Sequence, residues 1–143
     1  MARNQPELEA LRAMPFFADL EGDDLESVVQ IGRRVRFDAG QAIVERGDRS
    51  DGMYIVLDGR AQVDVGGRYH DLKAGSFIGE MGLLQGGRRG ATVKAVDAVE
   101  ALMIPAEDFR TFLLEHPSVA VTMLETVVRR LDEIQQRVEA WMS

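Results

Sequence analysis

A succession of short, closely spaced strand-like segments between Arg33 and Ile104 constrains the fold more than any other feature of this sequence. Apolar and polar residues alternate within several of them, as in strands with one buried face. Tight-turn pairs such as Asp58-Gly59 and Gly66-Gly67 separate them. Seven or eight strands at this spacing favour a β-sandwich or a jelly-roll barrel. The segments are 35–37, 43–44, 53–57, 63–65, 69–72, 91–96 and 99–104.

Helical patterns flank the strands on both sides. Residues 6–14 predict a short helix, and Asp23 or Asp24 can cap a second helix that runs to about Ile31. Pro105 stands where a third helix begins, and Pro117 restarts the chain into a long one. We therefore expect a mainly β fold with flanking helices. Its parts are N-terminal helices in 1–32, an eight-stranded antiparallel, jelly-roll-like β-roll in 33–104 and C-terminal helices in 105–142.

The composition fits one globular domain. The chain has 143 residues, of which 45% are hydrophobic, enough to bury a core. No apolar run approaches the roughly 20 residues of a membrane span, and no signal peptide opens the chain. The absence of cysteine fits a reducing cytoplasm, where we expect the protein to act. The net charge of −7 disfavours direct nucleic-acid binding, so an anionic ligand needs a locally positive pocket.

One segment, residues 77–92, concentrates the groups that could form such a pocket. It holds five glycines, the carboxylate of Glu80 and the pair Arg88 and Arg89. Glycines let backbone N–H groups approach an anion, and an arginine fork suits a phosphate. A carboxylate would repel a phosphate but accept a hydrogen bond from a sugar hydroxyl. The segment therefore predicts a site for a ligand with one phosphate and one hydroxyl-bearing sugar.

The same segment resembles the phosphate-binding cassette of cyclic nucleotide-binding domains, whose pattern reads F-G-E-[LM]-x-L-L-x-x-x-x-R-x-A-T. Further matching pieces are 37–40, 47–48, 53–56 and Gly59, so the resemblance covers nearly the whole chain. It implies a single domain of the family that includes catabolite activator proteins and protein kinase A regulatory subunits, without an attached effector domain. The cassette spans 76–92, and its matching residues are Gly79, Glu80, Met81, Leu83, Leu84, Arg89, Ala91 and Thr92.

The resemblance assigns roles within the cassette. It implies that Glu80 accepts a hydrogen bond from the ribose 2′-hydroxyl and that Arg89 binds the exocyclic phosphate oxygens. The alternatives are a solvated helix carboxylate and a surface arginine paired with Glu80 or Asp97. Backbone groups supply the remaining contacts with phosphate and sugar, from Gly79, Met81 and Ala91.

Two positions depart from the family pattern. Arg88 replaces the usual proline before the phosphate arginine, so we expect a looser loop. Its charge is available to the phosphate or turned to solvent. Gly90 stands where cGMP-preferring members carry threonine, whose hydroxyl meets guanine. The exchange favours cAMP over cGMP.

The base is expected to meet the β-roll on one side and the last helix on the other. The roll candidates can equally be ordinary core residues. They are Val65, Tyr69, Leu72 and Phe77, with Gly90 and Thr92 at the cassette end. In the family the last helix closes over the base, which makes lid candidates of Arg130, Leu131, Ile134 and Gln135.

The last helix also carries a heptad pattern. Apolar residues follow 3-4 spacing with one polar interruption at Gln135. A second apolar line lies beside them at steps of seven. One stripe could pack on the roll and the other on a partner helix in a homodimer, or the helix could pack on its own domain alone. The first stripe is Val121, Leu124, Val128, Leu131, Gln135, Val138 and Met142; the second is Val127, Ile134 and Trp141.

The resemblance implies a cyclic nucleotide sensor that signals through its last helix to an unknown effector. The expected ligand is cAMP, possibly cGMP, with no cofactor or metal and no catalytic residues. A non-binding scaffold would typically lack the glutamate or the arginine, and both are present. A cupin-type enzyme would need clustered histidines, but the chain has only His70 and His116.

Overall fold

The computed structural model describes residues 5–142. Two helices, α1 (Gln5–Ala13) and α2 (Gly22–Ile31), precede the strands and α3 (Ala106–Glu115) and α4 (Pro117–Met142) follow them. A short 3₁₀ helix, Pro15–Phe17, joins α1 to α2, and a second one, Glu80–Leu83, which we call the cassette helix, lies among the strands. The strands are β1 (Arg33–Phe37), β2 (Ala42–Val44), β3 (Gly52–Asp58), β4 (Ala61–Val65), β5 (Arg68–Leu72), β6 (Phe77–Ile78), β7 (Thr92–Ala95) and β8 (Val99–Pro105).

The strands form two antiparallel sheets of four, in the orders β1-β8-β3-β6 and β2-β7-β4-β5. This confirms the predicted mainly β class with eight strands and flanking helices. The predicted boundary at 104/105 is shifted slightly, because Pro105 closes β8 opposite Gly52 and α3 begins at Ala106. The inner faces of the two sheets share one apolar core, formed by Ile43, Val44, Val56, Ala61, Ile78, Val93, Ala95, Val99 and Ala101.

A second core lies between the first sheet and the helices. Strand β3 serves both cores, because successive side chains point to opposite faces. Met53 and Ile55 face the helices, whereas Val56 faces the other sheet. Phe17 and Phe109 meet edge to face at 5.8 Å in the helical core, and both are fully buried. Leu83 is buried in this core as well, which anchors the cassette helix to the helical layer.

Helix α4 changes character along its length. Its first part packs on the domain through Val119, Met123 and Thr126, but from Val128 onward every described residue is exposed. A polar cluster marks the change. Thr126 Oγ1 donates to Asp19 Oδ2 at 2.5 Å, and Arg129 Nη2 donates to the same oxygen at 2.7 Å. These two hydrogen bonds hold the pKa of Asp19 below its ordinary value.

Within residues 5–142, no helix is long and apolar enough to cross a membrane.

Candidate functional site

The cassette begins at a glycine that the geometry requires. β6 ends at Ile78, and Gly79 follows with a left-handed φ of +73° as the N-cap of the cassette helix. Gly82 N donates to Gly79 O at 2.9 Å, which closes the first turn. A Cβ atom at Gly79 would lie 2.1 Å from Arg89 Nη1. Glycine is therefore needed twice here, for its backbone conformation and for the close approach of the guanidinium.

Arg89 is the central polar group of the site. Its exposed fraction is 7%, although the side chain carries a full charge. Nη1 is buried and has no hydrogen-bond partner among the described residues, while Nη2 lies 3.6 Å from Asp51 Oδ1. Buried donors are rarely left unpaired, since each unmade hydrogen bond costs about 1–3 kcal/mol. The neighbouring carboxylate is Asp51, neither Glu80 nor Asp97, so the expected alternative pairing is not observed.

The loop that carries Arg89 is clamped by the segment between β2 and β3. Arg89 N donates to Asp48 O at 2.7 Å and Gly47 N donates to Arg89 O at 2.9 Å. Ser50 N donates to Gly87 O at 2.7 Å on the other side of Arg88. Backbone hydrogen bonds thus hold the loop on both sides of Arg88, and its looseness relative to a loop with proline stays a prediction.

Arg88 does not extend the positive pocket. Its Nη1 donates to Gly47 O at 3.2 Å, and the side chain is exposed on the clamp. The predicted contribution of Arg88 to the phosphate site is therefore not supported by its position. Only one of the two adjacent arginines, Arg89, is buried at the cassette.

A cavity of about 240 Å³ opens beside Arg89. One end is formed by cassette residues and carries the guanidinium. The rest is apolar wall from both sheets, so the cavity suits a ligand with an anionic end and a flat, less polar body. The lining residues are Val44, Val63, Leu72, Phe77, Ile78, Gly79, Arg89, Gly90, Ala91 and Val93.

Glu80 and Met81 lie on the first turn of the cassette helix, beside Gly79. Glu80 is partly buried and Met81 is 60% exposed. No donor among the described residues hydrogen-bonds to the Glu80 carboxylate. Its acceptor oxygens are therefore available one residue along from Gly79, which lines the cavity, while the Met81 side chain is exposed.

Three of the predicted base-side residues are not brought to the cavity. Tyr69 pairs with Asp64 in the β4–β5 ladder and shares the outer face of the second sheet with it. Tyr69, Thr92 and Lys94 line a separate outer groove, because strand side chains alternate between faces. Thr92 Oγ1 accepts a hydrogen bond from Arg46 N at 3.0 Å there. Val65 has the inward parity of Val63 but lies at an exposed strand end. Tyr69 and Thr92 therefore do not line the cavity, and their contact with the base stays a prediction.

The predicted lid residues also lie away from the cavity. Leu131, Ile134 and Gln135 belong to the exposed part of α4, and no described residue of that helix lines the cavity. Leu131 and Ile134 are 61% and 50% exposed. In this structure the helix is extended from the domain, and the lid arrangement is not formed.

Two site residues escaped the sequence reasoning. Asp51 stands just before β3 and approaches Arg89, and the Tyr54 ring lies 5.9 Å from the Arg89 guanidinium carbon. A signal for Tyr54 was present, because it shares the parity of Val56 along β3 and so faces the roll interior. For Asp51 the only signal was its position at the end of a turn.

Comparison with known proteins identifies the family of the chain. The family model of the cyclic nucleotide-binding domain matches residues 34–116, more than half of the chain. The chain therefore belongs to the cyclic nucleotide-binding domain family, a class of ligand-binding regulatory modules. The matched range covers the strands, the cassette and α3, while α4 lies outside it.

Relatives place the chain among modules of larger proteins. A cyclic nucleotide-gated potassium channel from Rhizobium etli is 33% identical over 122 residues, which cover 85% of this chain and 34% of the channel. The N-terminal domain of a transcriptional regulator from Streptomyces coelicolor A3(2) is 28% identical with a TM-score of 0.79, covering 89% of this chain and 95% of that one.

The catabolite activator protein of Thermus thermophilus is 27% identical with a TM-score of 0.65, covering 90% of this chain and 63% of that one. The chain spans about a third or less of the length of the curated relatives that it matches. The activities of those whole proteins therefore cannot be transferred to this chain from similarity alone.

Proposed function

We propose that this domain binds cAMP in the cavity beside Arg89 and acts as a regulatory module. The observation that carries the proposal is the buried Arg89 guanidinium, whose Nη1 has no acceptor among the described residues. A cyclic phosphate supplies the missing acceptor and the counter-charge together. Charge-assisted hydrogen bonds of this kind are the strong ones, because both partners are ionised.

The remaining parts of the ligand have matching groups nearby. Glu80 has free acceptor oxygens for a ribose 2′-hydroxyl, and the backbone of Gly79 and Ala91 borders the phosphate end of the cavity. Gly90 lines the cavity without a side chain, so it offers no hydroxyl to the amino group of guanine. This supports cAMP rather than cGMP.

Signal output is assigned to α4. The helix stands free of the roll from Val128 onward, so it can move without breaking the core. A ligand shifts such an equilibrium only if it binds the closed arrangement more tightly than the extended one, by tenfold for each 1.4 kcal/mol or so. Closure would bring Leu131, Ile134 and Gln135 towards the base.

The exposed stripe of α4 supports association of two copies. Val121, Leu124, Val128 and Leu131 are between 55% and 63% exposed, and they follow 3-4 spacing. Such a stripe is unusual on a monomer unless a partner covers it. The proposed partner is the same helix of a second copy. The polar Gln135 within the apolar stripe would fix the register of the two helices. The effector that receives the signal is unidentified.

A calorimetric titration of the ligand-free domain with cAMP, cGMP and 5′-AMP tests the proposal. Micromolar or tighter binding of cAMP, with cGMP weaker and 5′-AMP much weaker, is expected. Sedimentation at several protein concentrations reports the oligomeric state in the same samples. No binding of any of the three by a folded, ligand-free domain would refute the sensor and favour a scaffold that only contacts other proteins.

A further inference from the structure

The aromatic ring of Tyr54 lies against the phosphate arginine from within the roll. The Arg89 Cζ atom is 5.9 Å from the ring centroid, within the range of a cation–π contact. Phe37 meets the same ring edge to face at 5.9 Å, which fixes its orientation. In the β3–β6 ladder Tyr54 pairs with Ile78, the residue before Gly79. Tyr54 thus contacts both strand β6, near the start of the cassette, and Arg89, near its end.

Within residues 5–142, the ring is one of two partners of the guanidinium, beside Asp51. Nη1 has no acceptor among the described residues, and Nη2 is 3.6 Å from a carboxylate oxygen of Asp51, beyond a good hydrogen bond. The Asp51 side chain is itself 69% exposed, so water weakens that attraction. A ring face in a desolvated position attracts a cation more strongly than one in water.

Tyr54 offers a neutral ring and not a negative charge. Burial raises the pKa of the Tyr54 phenol above its ordinary value of 10.0, even though the nearby Arg89 acts in the opposite direction. The phenol therefore stays protonated at neutral pH. What Arg89 meets is the negative face of the ring quadrupole, which constrains orientation without competing with the ligand as a second anion.

We propose that Tyr54 is a positioning residue, whose ring face holds the Arg89 guanidinium in the orientation that receives the ligand phosphate. The inference rests on the proposed cyclic nucleotide site and adds a specific requirement to it. Affinity depends on the aromatic ring at position 54 and not on its hydroxyl. The requirement acts through Arg89, so it disappears when Arg89 is absent.

The test compares Tyr54→Phe, which keeps the ring, with Tyr54→Ile, which removes it in a strand-compatible form. Phe16→Leu is the control, because Phe16 is a partly buried aromatic in the helical layer without contact to Arg89. Calorimetry with cAMP should give a Kd near wild type for Tyr54→Phe and Phe16→Leu. For Tyr54→Ile the Kd should rise roughly 5- to 30-fold.

A measurement without ligand separates positioning from general damage. The ring current of Tyr54 should shift the Arg89 side-chain N–H resonances of the free domain. Tyr54→Phe should retain that shift and Tyr54→Ile should abolish it, whereas Phe16→Leu should leave it unchanged. In an Arg89→Met background, Tyr54→Ile should add less than a twofold change in Kd, since the partner is gone.

The outcomes distinguish the two proposals. If wild type binds cAMP and Tyr54→Ile binds equally well, the positioning role is overturned and the site stands. Equal losses for Tyr54→Phe and Tyr54→Ile would also overturn it, because the hydroxyl would then be responsible. If wild type binds no cyclic nucleotide, the site and the inference fail together. If Tyr54→Ile does not fold, fluorinated phenylalanines at position 54 replace it. Because fluorine weakens the negative charge of the ring face, each added fluorine should weaken cAMP binding further. Unchanged affinity would reject the inference.

Discussion

Replacing Arg89 by methionine should separate binding from stability. Methionine keeps most of the apolar stem and removes the charge. In the proposed complex, the guanidinium would make two hydrogen bonds to the phosphate, each worth about 1.5–3 kcal/mol because the partners are charged. Their sum of roughly 3–6 kcal/mol corresponds to a rise in Kd of at least about 100-fold.

The stability of the free domain should barely change. The substitution removes a buried, unpaired donor at Nη1, which relieves about 1–3 kcal/mol. It also removes the contact with the Tyr54 ring, which costs up to about 2 kcal/mol. The two effects nearly cancel, so the melting temperature should stay within about 4 °C of wild type. Truncation of an ordinary buried side chain costs about 2–5 kcal/mol.

The assay pairs cAMP calorimetry with thermal melting of the ligand-free domain. Arg88→Met is the matched control, because it changes the net charge equally but its side chain lies on the Gly47 carbonyl. We expect less than a threefold change in Kd for that variant. An Arg89→Met domain that binds cAMP like wild type would refute the phosphate assignment. One that loses more than about 3 kcal/mol of stability would refute the argument that the arginine is kept for ligand.

The other predictions address the ribose, the helix and its anchor. Glu80→Ala should raise the Kd for cAMP about tenfold and leave 2′-deoxy-cAMP nearly unaffected, as calorimetry would show; equal effects on both ligands would remove Glu80 from the ribose. Trp141 is 86% exposed, so its emission should shift to shorter wavelength when cAMP closes or pairs α4, and an unchanged spectrum at saturation would contradict that movement. Thr126→Val should lower the melting temperature by about 3–5 °C through loss of the Asp19 hydrogen bond. Asp19→Asn should lower it at pH 7, and the difference from wild type should shrink as the pH falls below 3.8, because the lowered pKa of Asp19 stabilises the fold only while the carboxylate is ionised. Gln135→Leu should tighten self-association in sedimentation, since a polar residue in a heptad seam costs stability.

Local patterns predicted the fold well where each element carries its own signal. The Asp58-Gly59 pair marks the β3–β4 hairpin, and the run 53–57 with few polar residues marks β3. Strand β6 was missed, because Phe77–Ile78 is only two residues long and exists through pairing with β3. Such a strand has no period of its own to detect.

The sequence indicated which backbone segments form the site, but it indicated less well where their side chains point. Gly79 and Arg89 line the same cavity, and the cassette spacing implies that they lie close together. The direction of Arg88 depends on a carbonyl 41 residues earlier in the chain, at Gly47. Tyr69 faces outward because of its register with Asp64. A long-range contact decides the first and the register of the β4–β5 hairpin decides the second, and a single sequence displays neither directly.

The position of α4 follows from a different kind of information. The heptad stripe predicted a helix of the right length, and α4 runs from Pro117 to Met142. In this structure the distal half lies away from the cavity. Thr126 and Arg129 hold the proximal half through Asp19. Sequence periodicity reports that the helix is amphipathic, but it does not report whether the distal half lies over the cavity.

The proposal that Arg89 binds a cyclic phosphate is tested most directly by the N–H resonances of the Arg89 guanidinium. In arginine-labelled domain, the account predicts that saturating cAMP moves the Arg89 guanidinium signals downfield and slows their exchange with water, because Nη1 gains an acceptor. Adenosine, which lacks the phosphate, should leave them in place. Identical responses to cAMP and adenosine, or no response to cAMP, would contradict the claim.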